Sequence, residues 1–162
     1  MSGGPDDEAR FAELMESYAG PIRRLCGAYA ASAADQEDLW QDIFVAVWRA
    51  LPAYRGDASL RTWLYRIAHN VALTWQARER RRQSRETHLD ADVPAPEQAD
   101  LRRLALNRAI AQMMPVDRTL TLLWLEGLSA AEIEAVTGVK SGTVAVRLSR
   151  IRKQLIPVEA HL

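Results

Sequence analysis

Residues 128–155 read LSAAEIEAVTGVKSGTVAVRLSRIRKQL. Ser129 and Glu132 stand at the S-x-x-E spacing of a capping box, which opens a helix by satisfying two orphan backbone donors reciprocally. Gly138 is placed to end that helix, because the residue beyond a helix C-terminus often takes a positive φ that suits glycine. A second helix starts at Ser141 or its neighbour, with Val144, Leu148, Ile151 and Leu155 along its inner stripe. A short helix, a glycine turn and a longer basic helix make a helix-turn-helix, whose second helix lies in a DNA major groove. Lys140, Thr143, Arg147, Arg150 and Lys153 fall on its outer side. Ala145 and Val146 offer no hydrogen bond there, but can pack on a thymine methyl. Arg150 is the candidate for bidentate guanine reading and Arg147 for the phosphate backbone. The same pattern would also fit an αα-hairpin in an unrelated bundle.

Upstream of this stretch, helical periodicity runs over Leu101–Met114, stops at Pro115, and resumes through Leu120, Leu123 and Trp124 to Gly127. Before it, ETHLDADVPAPEQAD (86–100) carries two prolines, five acids and no Lys or Arg, the composition of a linker. Further upstream, Phe11, Leu14, Met15, Tyr18, Ile22 and Leu25 give one helical pattern, with an interruption expected near Gly20-Pro21. DQEDLWQDIFVAVWRAL (35–51) gives another, with Leu39, Trp40, Ile43, Phe44, Val47, Trp48 and Leu51 inward. No strand pattern competes, and no internal repeat is visible. The fold class is therefore all-α: two small helical domains, 1–85 and 101–162, joined by the acidic, proline-containing linker 86–100.

The first domain holds a second unusual stretch, YRGDASLRTWLYRIAHN (54–70). Asp57 or Ser59 is the expected N-cap of a helix whose apolar stripe is Leu60, Trp63, Leu64, Ile67, Ala68, Val71 and Trp75. The opposite side then carries Arg61, Thr62, Tyr65, Arg66, His69 and Asn70, with no acid among them. A merely solvated face usually interleaves both signs. Spacing puts Trp63 in the core and makes Tyr65 and His69 the outward groups able to stack on a base. The helix ends in the basic tract RERRR at 78–82.

Net charge is zero, yet it is unevenly distributed. Residues 6–42 carry −6, residues 49–85 carry +7, the linker −5, and residues 101–162 carry +4. Such asymmetry suggests one partner for the acidic face and a polyanion for the basic ones. The single Cys26 excludes an internal disulfide framework, fits a reducing compartment, and sits in an apolar pattern as a buried thiol. No run reaches membrane-spanning length, so no direct membrane insertion and a cytoplasmic location are expected. His69, His88 and His161 are scattered, and no nucleophile–base pair, metal-ligand spacing or phosphate loop appears. No catalytic residue, metal ligand or cofactor is expected; Asp35, Glu37, Asp38 and Asp42 read as a solvated acidic face.

Three stretches in order, DQEDLWQDIFVAVWRAL, YRGDASLRTWLYRIAHN and LEGLSAAEIEAVTGVKSGTVAVRLSRIRK, resemble the bacterial extracytoplasmic-function (ECF) sigma factors, the minimal two-domain form. The resemblance implies a transcription initiation factor that binds core RNA polymerase and promoter DNA. It implies that Asp38, Gln41, Asp42 and Arg49 contact the β′ clamp helices. Melting and reading of the −10 element would fall to Arg55, Gly56, Asp57, Ser59, Arg61, Tyr65, Arg66, His69 and Asn70, the loop serving as a pocket for a flipped base. Lys140, Ser141, Thr143, Ala145, Val146, Arg147, Ser149 and Arg150 would read the −35 element. The linker would thread near the polymerase cleft, and an anti-sigma protein is a further partner the family allows. Glu134 departs from the usual alanine and must point outward or widen the helix crossing. Ala145, Val146 and Ile151 also depart from the family pattern and leave the promoter sequence open. The alternative reading is a helix-turn-helix regulator that binds duplex operators on its own.

Overall fold

A computed structural model describes the backbone of residues 4–85 and 101–160. The chain divides into two compact units, Met1–Asp92 and Val93–Leu162, and the expected linker at 86–100 lies outside the described residues. Every regular element among the described residues is helical.

The first unit contains α1 (Pro5–Tyr29), α2 (Ala33–Ala50), a short 3-10 turn (Leu51–Ala53) and α3 (Leu60–Gln83). The interruption expected at Gly20-Pro21 does not occur: α1 runs unbroken through Pro21. An interior proline costs a helix about 3 kcal/mol. Ile22, Leu25 and Cys26, just past it, are all buried. Each such side chain contributes roughly 1.5–3 kcal/mol, so continuing the helix outweighs breaking it. Ser32 caps α2, its hydroxyl accepting from the Asp35 N–H at 3.0 Å. Leu39, Ile43, Val47 and Leu51 from this stretch and Leu64, Ala68 and Ala72 of α3 are all buried, where α2 packs on α3. Trp40, Phe44 and Trp48, expected inward, lie at the edge instead. Phe11 packs edge-on against Phe44 and Trp48, with ring centroids 4.6 and 5.0 Å apart.

Cys26 is buried, and burial pushes its thiol up to about 11. It is a core group and not a reactive one.

The second unit contains α4 (Leu101–Ala111), α5 (Pro115–Leu125), α6 (Ala130–Thr137) and α7 (Ser141–Ala160). Pro115 occupies the first turn of α5, where its missing N–H is no loss. The Arg118 guanidinium closes the α4–α5 turn by donating to the Ala111 carbonyl at 2.6 Å and the Met113 carbonyl at 3.2 Å. Leu120, Leu123, Leu128, Ile133, Val136, Val144, Leu148 and Ile151 form the core.

Candidate polymerase and nucleic-acid interfaces

On α2, Asp38, Gln41, Asp42 and Arg49 are all exposed. They recur at helical spacing, and Val45 stands among them 42% exposed. Spacing alone could have placed Val45 there, but the sequence reading assigned it neither to the inward stripe nor to the polar face. The Arg78 guanidinium donates to the Asp42 carboxylate at 2.6 Å, tying this face to the far end of α3. On the adjacent side Arg23 pairs with Glu37 at 2.8 Å and lies 4.5 Å from the centre of the Trp40 ring. The Arg23 hydrogen bond holds the Glu37 carboxyl below its usual range.

The turn into α3 is built from its own side chains. The Tyr54 hydroxyl donates to the Ala58 carbonyl at 2.6 Å. Gly56 takes a φ of 82°, which a β-carbon would oppose. Ser59 is the N-cap, accepting from the Thr62 N–H at 3.1 Å and donating to the Thr62 hydroxyl at 2.9 Å. These bonds leave Arg55, Gly56, Asp57 and Ser59 exposed along the loop. Arg66 and Asn70 are exposed on α3, and Arg61 is half-buried.

Two expected contacts fall elsewhere. Tyr65 is 1% exposed and His69 7%, so neither side chain is an outward stacking group. Tyr65 meets Tyr18 edge-on at 6.4 Å between centroids, and the His69 Nδ1 is 2.8 Å from the Tyr29 hydroxyl. Burial lowers the His69 pKa from its ordinary value. The buried set on α3 is Thr62, Leu64, Tyr65, Ala68, His69, Ala72 and Trp75. Relative to the stripe read from hydropathy, the helix is rolled about its axis by roughly one residue's step, about 100°. Small Ala68 and Ala72 share this buried face with Tyr65 and His69, and the Tyr29 hydroxyl partners the imidazole. The roll brings Trp63, expected in the core, to a half-exposed position against Tyr54, with centroids 5.0 Å apart. This pair lies beside the exposed loop, whereas the sequence located the aromatic surface on Tyr65 and His69.

The second unit presents the helix-turn-helix. The capping box is formed in both directions, Ser129 N–H to the Glu132 carboxylate at 2.8 Å and Glu132 N–H to the Ser129 hydroxyl at 3.2 Å. Gly138 ends α6 with a φ of 78°. Glu134 turns toward the start of α7: its carboxylate accepts from the Ser141 N–H at 2.8 Å and the Lys140 ammonium at 3.4 Å. These bonds, Ser141's backbone first, hold the Glu134 carboxyl below its usual range. Thr143, Ala145, Val146, Ser149 and Arg150 are exposed on α7 and Lys140 just before it, while Ser141 and Arg147 are half-buried. Arg147 donates to Asp117 of α5 at 2.7 Å. Val144, Leu148 and Ile151 are buried as the inner stripe requires; Leu155 is half-buried.

Comparison with known proteins bears on this arrangement. Residues 14–83 match the family described as Sigma-70 region 2, and residues 103–155 match Sigma-70, region 4. The RNA polymerase sigma-H factor of Pseudomonas aeruginosa is 34% identical over 92% of this chain and 86% of its own. The ECF RNA polymerase sigma-E factor of Escherichia coli is 30% identical over 92% and 86% respectively. The chain belongs to the ECF sigma factors. It is thus a transcription initiation factor, and the reading as a stand-alone operator-binding regulator is not favoured. Sigma factors are non-catalytic. Among solved structures, the sigma factor RpoE in complex with the anti-sigma factor NepR from Bartonella quintana shares the fold of this ECF sigma factor. It has a TM-score of 0.75 at 20% identity, covering 93% of this chain and 97% of that one. CnrH, solved with the cytosolic domain of CnrY, gives a TM-score of 0.67 at 22% identity over 95% and 90%. Among the described residues of this sigma factor, no helix is long and apolar enough to cross a membrane.

Proposed function

We propose that this sigma factor engages core RNA polymerase through the exposed face of α2 and promoter DNA through two separate surfaces. Asp38, Gln41, Asp42 and Arg49 meet the polymerase β′ clamp helices, with Val45 as an apolar contact at their centre. Arg55, Gly56, Asp57 and Ser59, with the Tyr54–Trp63 pair, hold an unpaired base of the −10 element, while Arg61, Arg66 and Asn70 grip the strand. Lys140, Ser141, Thr143, Ala145, Val146, Arg147, Ser149 and Arg150 dock on the −35 duplex. The observation that carries this reading is the loop 54–59. Its internal hydrogen bonds turn a polar, glycine-containing edge outward beside an aromatic pair, the combination that grips single strands by stacking and charge. An anti-sigma partner follows by likeness to the Bartonella relative, and a cytoplasmic location by the company of polymerase. The domain limits 1–85 and 101–162 with an acidic tether between them belong to the same proposal.

The test is reconstitution with core polymerase. Asp38→Lys with Asp42→Lys should weaken core binding while the melting temperature stays nearly constant, because the Asp42–Arg78 pair is exposed (46% and 61%). Such surface pairs contribute about 0–1 kcal/mol. Unaltered core binding by the charge-reversed chain removes the α2 assignment.

A further inference from the structure

The turn between α6 and α7 holds a carboxylate at a place where a DNA-binding helix commonly offers bare backbone donors. The N–H groups of a helix's first turn have no partner within the helix. With the helix dipole they attract anions, and DNA-binding helices use them on phosphates. Ahead of the first turn of α7 stands Lys140, whose carbonyl accepts from the Val144 N–H at 2.9 Å. Its side chain is a donor only, so it cannot cap the helix. The acceptor comes instead from the last turn of α6. Glu134 takes the Ser141 N–H at 2.8 Å and the Lys140 ammonium at 3.4 Å. The Lys140 side chain is 85% exposed and that of Glu134 33%, so the carboxylate is the more covered member of the pair. A β-carbon built on Gly142 would meet nothing within 4 Å, so the first turn is open to an approaching DNA backbone.

We infer that Glu134 stands in for a DNA phosphate at the start of α7, and so lowers the number of phosphates that −35 binding neutralises. The inference rests on the proposal that α7 docks on the −35 duplex. With Glu134 present, the positive charge of Lys140 and the negative charge of the carboxylate cancel, and the Ser141 N–H is occupied. A phosphate arriving there meets neither a net positive charge nor that donor. Binding then depends on the residues farther along α7, from Thr143 to Arg150, which can face bases as well as backbone. Two effects of Glu134 separate chemically. Its charge withholds one backbone contact, while its hydrogen bond to Ser141 holds the helix start in position. Glutamine at this place keeps an acceptor oxygen at the same reach and drops the charge. Alanine drops both.

The experiment uses the full chain assembled with core polymerase and promoter duplexes that share one −10 element. They carry either a −35 sequence selected by the wild type from a randomised library or a scrambled one. Dissociation constants are measured from about 50 to 200 mM salt, a range over which phosphate contacts are read. Glu134→Gln should bind both duplexes more tightly at low salt and steepen the log–log salt slope by about 0.9, the increment for one further phosphate. Its advantage over wild type should therefore shrink roughly three- to fourfold across that range. Its preference for the selected −35 sequence should be unchanged. Glu134→Ala should show the same steeper slope with a weaker preference, because the start of α7 loses its tether. Adding Lys140→Ala to Glu134→Gln makes the turn neutral again and should return the slope to the wild-type value. Thermal unfolding of each variant reads any loss of fold. A slope for Glu134→Gln equal to or shallower than wild type overturns the inference, as does a steeper slope that survives the added Lys140→Ala. Failure of the wild type to prefer any −35 sequence over a scrambled one overturns the underlying reading of α7 instead.

Discussion

Replacing Tyr29 by phenylalanine removes one hydroxyl and tests whether His69 belongs to the core or to the DNA surface. The hydroxyl is 2.8 Å from the Nδ1 of His69, which is 7% exposed and 40 residues away in sequence. Its loss leaves a buried imidazole nitrogen without that partner, which costs about 1–3 kcal/mol. Tyr29 is itself half-buried, so water can replace part of the bond and the lower half of that range is expected. In a domain of this size 1 kcal/mol moves the melting temperature by roughly 4–8 °C. The effect also has a pH signature. Burial lowers the His69 pKa, so on acidification the unfolded chain takes up its proton before the folded chain does. The stabilisation is therefore fully present above about pH 6.5 and is lost as pH falls from there through the folded-state value. His69→Ala should be destabilised by roughly 2–4 kcal/mol at neutral pH, as for other buried large-to-small changes. It should also lose that part of the acid sensitivity. Urea unfolding of the full chain across pH 5.5–8 measures both quantities. If Tyr29→Phe leaves the midpoint unchanged, or His69→Ala weakens promoter binding at constant stability, the burial argument fails and His69 returns to the DNA surface.

Trp63→Ala should weaken binding of a single-stranded −10 probe to the reconstituted holoenzyme by roughly 1–3 kcal/mol, the contribution of one stacked base. Trp63→Phe should keep most of the affinity, and helix content by circular dichroism should not change. Gly138→Ala places a β-carbon on a residue with φ of 78° and open space around it, so the cost is the left-handed backbone alone, about 1–2 kcal/mol. It is read as a drop in melting temperature. Arg150→Ala should relax preference at one base of the −35 element at a cost of about 1–3 kcal/mol, measured on a promoter library. Arg147→Ala should weaken all promoters alike and lower the salt slope by about one unit, with a stability loss under about 1 kcal/mol from the Asp117 pair.

What could be read from the sequence was whatever is settled within a few residues. Ser129, Glu132 and Gly138 act on neighbouring backbone groups, so their spacing alone located α6 and the start of α7. A cap at Asp57 or Ser59 was legible for the same reason, and the fold uses Ser59. The core face of α3 was not. Leu64, Ala68 and Trp75 belong both to the stripe expected from hydropathy and to the buried set, so they could not decide the roll of the helix. The decision lay with Tyr65 and His69, whose polar atoms count against burial until a partner is known. For His69 that partner is Tyr29, on another helix, and no local pattern announces it. The run of α1 through Pro21 was hidden likewise, because the apolar side chains that offset the proline are rewarded only when α2 and α3 are in place. The role of Glu134 needed the turn to be folded before its carboxylate could meet the Ser141 N–H.

The two proposed DNA surfaces are held in place by different means, and the difference follows from what each would have to read. A helix that reads base edges in a groove must keep its axis fixed, since a small rotation moves every outward side chain at once. Three restraints act on α7. Gly138 sets the direction of the chain into it, Glu134 caps its first turn, and Arg147 ties its middle to Asp117 of α5. None is strong by itself, and the Arg147–Asp117 pair is partly exposed. They act at successive points along one helix, however, and so oppose both tilt and rotation. In the proposed −35 role a carboxylate so near the start of α7 would repel DNA were its charge not offset by the Lys140 ammonium and the positive end of the helix dipole. The loop at 54–59 is restrained locally instead, by Tyr54 to Ala58 and Ser59 to Thr62. Because those bonds use no groups from α1 or α2, the proposed entry of a base beside Gly56 would not disturb the core. In the proposed −10 role the loop would already have its shape when a base arrived, so little ordering entropy would remain to oppose capture of the strand.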